Sequence, residues 1–260
     1  MNKIVVITGA SSGIGLALYK KYKEIGDIPI CLGKDNKENL ENFIYCDVSQ
    51  ENIVKSAFDE IKEKYGKVDI LINNAGFGIS GAIELEKTSM VKSLFDVNYF
   101  GPLYCYQNVL PLMQRGSKII NTCSICALIP VPFRGFYSAS KASLLSMGLA
   151  EYMELKDYGI SVINICPGQV KSNFEKNRIK NFSSNEKYEK NFGGAMNTLK
   201  KTEKKRMNTE KVAKIFVKES YKKNPKPMRV IGFKYKIFYF FYKLLPLKTF
   251  LYFNNKFLGK

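Results

Sequence analysis

Histidine is absent from all 260 residues. Without it the chain has no ordinary proton carrier near neutral pH and no Ser-His-Asp or Cys-His nucleophile pair. An enzyme built from this sequence must move protons with another side chain. Acidic residues are scarce as well, 23 against 41 lysines and arginines, for a net charge of +18. The excess is spread along the chain without a recognisable nucleic-acid reading motif, so general surface charge is expected and a nucleic-acid partner is not. Internal repeats are lacking. The apolar start, Met1 to Ile7, is too short and too soon followed by glycine for a secretory leader. Six cysteines at irregular spacings then fit a reducing cytoplasm better than a disulfide framework. Cys123 and Cys126 form a C-x-x-C pair, but a metal would need two more ligands, which neither histidine nor the scattered cysteines supply. Buried cysteine is a frequent small core residue, and no redox role is expected of the pair.

What is present is the pattern of one α/β domain. With 45% hydrophobic residues, the chain can bury a substantial core. Strand-like runs at Lys3 to Ile7, Ile28 to Leu32, Phe43 to Cys46, Ile70 to Ile72, Lys118 to Thr122 and Ser161 to Ile165 alternate with helical patterns at Leu16 to Ile25, Ile53 to Tyr65, Val91 to Gln114 and Ala139 to Tyr158. A last strand is expected near Met228 to Ile231. Such alternation predicts a three-layer, Rossmann-like, doubly wound parallel sheet whose right-handed crossovers bring every strand-to-helix turn to one edge. The domain is expected over residues 1–231, with 173–208 a mobile segment covering the site and 232–260 a basic, aromatic tail.

The first of those turns is rich in glycine. Thr8-Gly9-Ala10-Ser11-Ser12-Gly13-Ile14-Gly15 spaces its glycines as G-x-x-x-G-x-G between a buried strand and a helix. Glycine permits positive φ and close backbone approach, and the amides and dipole at a helix N-terminus attract a pyrophosphate. Further along, Tyr137 stands one helical turn before Lys141, and Ser124 lies thirteen residues upstream of the tyrosine. Residues four apart share a helix face, so the ammonium can favour the ionised phenol. A phenol titrates near pH ~10, and bringing it to roughly 7 needs about 4 kcal/mol. One screened cation hardly supplies that, so a second positive charge is expected nearby.

These residues resemble the short-chain dehydrogenase/reductase family in its compact single-domain branch. The match covers most of residues 1–172. It comprises Thr8 to Gly15, Asp47-Val48 after the third strand, Asn73-Asn74-Ala75-Gly76 after the fourth, Asn98, Ser124, Tyr137-x-x-x-Lys141 and Pro167-Gly168. The resemblance implies a nicotinamide dinucleotide across the carboxyl edge of the sheet, its positive ring supplying the missing cation beside Tyr137. Cofactor contacts are implied at Thr8, Gly9, Ser11, Ser12, Gly13, Ile14 and Gly15, at Asn74, Ala75 and Gly76, and at Pro167, Gly168 and Val170. Ser172 falls where the family often has a threonine that binds the carboxamide or phosphate. Asp47 resembles the carboxylate that contacts the adenine amine, with Val48 beside it.

By the same analogy, Tyr137 is the general acid in carbonyl reduction and the base in alcohol oxidation. Ser124 donates to the substrate oxygen. Lys141 holds the nicotinamide ribose and lowers the tyrosine pKa, and Asn98 holds a water that relays protons to Lys141. The second strand ends Leu32-Gly33-Lys34, with the base where NADP users carry one, so NADP(H) is favoured over NAD(H). Asp35 leaves the other choice open if the register differs by one. Pocket candidates are Ile125, Cys126, Leu128, Val131, Phe133 and the segment after Ser172.

The tail carries six lysines, no acid and a dense run of aromatics from Phe233 to Leu245. Its charge-free stretch from Ile237 to Tyr242 is far too short to span a bilayer. Three roles stay open: lying on the anionic inner face of a membrane, roofing the pocket, or forming a subunit interface. Pro246 would break a helix there. The expected partners are a small carbonyl or alcohol substrate, lipid- or sterol-like or else a 3-oxoacyl thioester, and further copies of the chain in a homodimer or homotetramer. A dinucleotide-binding protein without catalysis is the alternative, though such relatives commonly lose the tyrosine or lysine retained here.

Overall fold

Seven runs of apolar and β-branched residues pair side by side in the computed structural model, which describes residues 2–172, 174, 178–180, 187–188, 192–195 and 206–258. They are β1 (Ile4–Thr8), β2 (Ile28–Gly33), β3 (Phe43–Tyr45), β4 (Ile70–Asn73), β5 (Lys118–Thr122), β6 (Ser161–Pro167) and β7 (Met228–Ile231). Every pairing is parallel, in the order β7-β6-β5-β4-β1-β2-β3. This is the doubly wound sheet that the alternation predicts.

Buried on both faces, β1, β4 and β5 have no exposed residue. The strand period of two sorts their side chains. Ile4 and Val6 of β1 pack with α2 (Glu51–Tyr65) and α4 (Gly101–Val109) on one face, whereas Val5 and Ile7 pack with α1 (Gly13–Glu24) and α6 (Thr209–Ser220) on the other. α5 (Gly135–Glu154) closes the first face. Three asparagines tie adjacent strands: Asn73 Nδ2 donates to Asn121 Oδ1 at 2.9 Å, and Asn121 Nδ2 to Asn164 Oδ1 at 3.1 Å. Gly148 of α5 lies against this row, where a Cβ would stand 2.0 Å from Asn164 Oδ1.

Two helices differ from expectation. The single helix expected from Val91 to Gln114 is instead α3 (Thr88–Phe95), a π turn over Asp96–Phe100, α4, and a 3-10 turn over Leu110–Leu112. Pro102 lacks the N–H that would reach the Asn98 carbonyl, and Pro111 ends α4, so the regular ladder cannot run through. α5 begins at Gly135 rather than Ala139, which places Tyr137 inside its first turn. In the tail, α7 (Phe233–Leu244) and α8 (Leu247–Leu258) are separated at Pro246. A third apolar cluster, around Cys126, Ile129, Tyr137, Leu145 and Phe250, joins these tail helices to the carboxyl edge of the sheet. Most of 173–208 lies outside the described residues.

Candidate active site

One cavity of about 760 Å³ opens along the carboxyl edge. Gly9, Ser11, Ser12, Gly13 and Ile14 line it from the turn between β1 and α1, and Asn74, Ala75 and Gly76 from the end of β4. Lys34, Asp35, Asp47 and Val48 line the part nearest β2 and β3. Ser124, Tyr137, Lys141, Pro167, Gly168, Val170 and Ser172 line the part nearest β5 and β6.

The glycine turn has the shape its sequence implies. Gly9 and Gly13 take φ of +66° and +58°, and Ser12 caps α1 without a side-chain hydrogen bond or any acid in the first turn. The positive end of α1 therefore faces the cavity uncapped, which suits a pyrophosphate. Thr8 and Gly15 do not line the cavity, and their part is to build the turn. Thr8 is buried, and its Oγ1 accepts the Asn74 and Ala75 amides at 2.9 and 3.0 Å. Asn74 Nδ2 returns to the Thr8 and Gly9 carbonyls. The clamp binds β1 to β4 directly under the turn. Thr8→Val is expected to orphan two N–H groups at about 1–3 kcal/mol each. Thermal unfolding followed by circular dichroism should show a midpoint lower by roughly 5–15 °C, with Thr8→Ser close to wild type. An unchanged midpoint for the valine variant would remove the clamp from the account.

Lys34 Nζ pairs with Asp47 Oδ2 at 2.9 Å, and Asp47 also accepts from the Ser49 hydroxyl and amide. The pair raises the lysine pKa. Although burial pushes the other way, the Lys34 and Ser49 contacts hold the Asp47 carboxyl below its usual range. Asp35, the competing carboxylate, pairs with Lys37 at 3.0 Å.

At the other end, Ser124 lies two residues past β5 and Tyr137 in the first turn of α5, both buried. Ser124 Oγ accepts the Cys126 amide at 3.1 Å and is hydrogen-bonded to the Tyr137 phenol. Lys141 Nζ donates to the Thr122 carbonyl at 2.9 Å, and burial lowers its pKa. Asn98 sits in the π turn beneath the cavity: Oδ1 accepts the Phe77 amide, while Nδ2 donates to the Phe77 carbonyl and Ser140 Oγ. Its side chain is thus committed to bracing the loop after β4. Gly76 leaves the space between Asn98 and Lys141, since a Cβ there would meet Asn98 Oδ1 at 2.9 Å and Lys141 Nζ at 3.4 Å.

Burial dominates the electrostatics around the phenol. Burial pushes the Tyr137 phenol up to about 12, with the Cys126 thiol adding to the rise. The groups that oppose it are Arg178, the Ser124 hydrogen bond and Arg134; Lys141 is not among them. The Lys141 ammonium is turned to the Thr122 carbonyl, one helical turn along α5 from the phenol. Arg178 lies 5.2 Å from the Tyr137 ring centre and donates to Ser80 Oγ at 3.3 Å. Neither arginine is legible as a site residue from sequence spacing. Arg134 even sits at the N-cap of α5, against the usual preference of the helix dipole.

Of the pocket candidates, Ile125, Cys126 and Val131 line the cavity, whereas Leu128 and Phe133 do not. Phe133 instead packs edge-on against Tyr188 and Phe192. Phe174, from the segment after Ser172, lines it as well, and residues that sequence reasoning missed include Ile129, Tyr235 and Phe238. Tyr235 comes from the tail: its hydroxyl accepts the Gln169 amide at 3.0 Å, and its ring occupies the space a Cβ on Gly168 would need. All six cysteines are free and buried, and no cluster suited to a metal occurs among the described residues.

A seven-stranded parallel sheet with a glycine-rich turn at its edge and a buried Ser-Tyr-Lys group defines a nucleotide-dependent oxidoreductase. The chain belongs to the short chain dehydrogenase family, whose sequence profile matches residues 3–182. It is 34% identical over 231 residues to the 3-ketodihydrosphingosine reductase of Bacteroides thetaiotaomicron, covering 86% of this chain and 85% of that one. It is also 34% identical over 254 residues to a Helicobacter pylori protein described as a probable short-chain type dehydrogenase/reductase, VdlC, covering 94% and 93%. A short-chain dehydrogenase structure from Streptomyces avermitilis superposes with a TM-score of 0.83 at 24% identity over 92% of each chain. The fold is shared throughout. The site is that of a nicotinamide dinucleotide enzyme.

Proposed function

We propose that this chain is an NADP(H)-dependent reductase of a lipophilic ketone or aldehyde, lipid- or sterol-like, and the corresponding alcohol dehydrogenase in reverse. The observation that carries the reading is the apolar wall beyond Ser124 and Tyr137, formed by Ile125, Ile129, Val131, Phe174 and Phe238. Such a wall favours a substrate whose carbonyl is its main polar group. The similarity to a protein named for reducing a sphingoid ketone agrees with it.

A bound nicotinamide dinucleotide supplies the hydride. With its pKa near 12, the Tyr137 phenol stays protonated at neutral pH and can donate to the carbonyl oxygen as charge develops there. Ser124 accepts the Cys126 amide, which leaves its own proton for the same oxygen or for Tyr137. One of the three Lys141 donors is spent on Thr122, which leaves two for the ribose hydroxyls. Lys34, largely exposed beside Asp47, is the residue that would meet a 2′-phosphate.

Titration by nicotinamide fluorescence tests the cofactor assignment. Wild type is expected to bind NADPH at least tenfold more tightly than NADH, and Lys34→Glu to abolish that preference. A preference for NADH, or one that survives in Lys34→Glu, would overturn the assignment.

A further inference from the structure

α7 carries two apolar stripes. Tyr235, Phe238, Tyr239 and Tyr242 face inward and join the third cluster, where Tyr235 and Phe238 reach the cavity. On the opposite side, at ~100° per residue, Phe233, Ile237, Phe240, Phe241 and Leu244 gather within an arc of about 100°. All five are exposed, Phe233 by 80% and Leu244 by 62%, and Leu247 and Leu251 extend the patch onto α8. Proteins rarely leave a contiguous aromatic patch in water unless something binds it.

The charges around the stripe say what binds. Lys236 and Lys243 fall along one edge of it and Lys234 along the other, and no acidic residue occurs from Gly232 onward. An apolar stripe bordered only by cations suits the interfacial plane of an anionic bilayer, where rings sink to the acyl boundary and lysines reach the phosphates. None of the helices searched among the described residues is long and apolar enough to cross the membrane. A second copy of the chain would set one lysine-bordered stripe against another, in a molecule already at +18.

We propose that the outer face of α7 and the start of α8 docks on an anionic phospholipid surface, so that one helix rests on the bilayer and roofs the cavity with its other side. Passage of substrate between membrane and cavity beneath α7 rests on the lipophilic-substrate reading; the docking does not.

Flotation of the full chain with phosphatidylcholine vesicles, with and without phosphatidylserine, tests the docking. Recovery with the anionic vesicles is expected to exceed that with neutral ones at least tenfold and to fall as salt is added. Phe240→Glu/Leu244→Glu, at two exposed positions outside the cavity, is expected to lower anionic-vesicle binding at least tenfold with NADPH titration unchanged. Lys236→Glu/Lys243→Glu should abolish the preference for phosphatidylserine. Equal flotation with both vesicles, or wild-type binding by Phe240→Glu/Leu244→Glu, overturns the proposal. A dimer in light scattering that this variant converts to monomer, without flotation of the wild type, assigns the stripe to a second copy and also overturns it. A chain that floats but oxidises no NADPH with any lipid ketone would sink the catalytic reading alone.

Discussion

Tyr137→Phe is expected to slow carbonyl reduction by roughly 10²–10⁴-fold, the usual contribution of a positioned general acid. The ring remains to fill its place against Phe174, 5.7 Å away between centres, so stability and nucleotide affinity should stay near wild type. What is lost is the proton. In a chain without histidine, the other side chains around the carbonyl are poor replacements: Ser124 lacks a base, and the Lys141 ammonium is held by Thr122. The pH profile carries a sign that can be checked. Because burial raises the phenol pKa, the acid form persists through neutral pH, and reduction should decline only on the alkaline side, as pH rises through the pKa that Tyr137 has in the nucleotide complex. Ser124→Ala should lose rate but keep that alkaline decline. The assay is NADPH absorbance with any lipophilic ketone the wild type turns over. If Tyr137→Phe keeps more than a tenth of the rate, the proton comes from elsewhere.

Gly15→Ala is expected to be the most damaging single methyl in the glycine turn. A Cβ at this position stands 2.2 Å from the Gly9 carbonyl oxygen and 2.9 Å from Ala10 Cα. Both are backbone atoms of the phosphate turn, with no flexible end to swing aside. Relief requires the turn to open, and overpacking of this kind costs about 1–3 kcal/mol or more. NADPH affinity should fall by roughly 10²-fold or more, because the amides at the start of α1 no longer converge. Gly13→Ala is the internal comparison. Its φ of +58° is strained for alanine, yet the nearest atom to a Cβ is Ser172 Cβ at an ordinary 3.4 Å. Thermal unfolding and NADPH titration should therefore rank Gly15→Ala well below Gly13→Ala in both stability and affinity. The reverse order would mean that backbone strain, rather than steric contact, governs the turn.

The sheet and the meeting of Ser124, Tyr137 and Lys141 at one cavity are legible in the sequence because their signals are local. Buried parallel strands are short runs such as Val5 to Ile7, each followed at once by its turn, and Tyr137 and Lys141 share one helix face. The tail aromatics are visible and roofing the pocket is one of three roles open to them, but which of them reach the cavity is not legible. Tyr235 meets Gln169 and Gly168 across 66 residues of chain, a contact that no spacing rule encodes. Arg178 was hidden for the same reason: it reaches Ser80 across 98 residues. Pro102 and Pro111 are the sequence signal for the break at Asn98, against the helical periodicity that runs across them. The Thr8 hydroxyl, buried beside two strand-end amides, ties β1 to β4, a contact that the glycine motif does not encode.

The roof over the cavity has a consequence for the order of synthesis. The nucleotide turn, Ser124, Tyr137 and Lys141 all leave the ribosome before residue 142, and the sheet needs nothing beyond β7. The Tyr235 hydroxyl that takes the Gln169 amide and the Asn254 side chain that donates to the Pro130 carbonyl come from α7 and α8, which follow β7 in the chain. α7 and α8 thus complete an enclosure whose nucleotide platform is built from residues that precede them. Premature termination after β7 would leave a protein able to grip nucleotide but with no enclosure in which to use it.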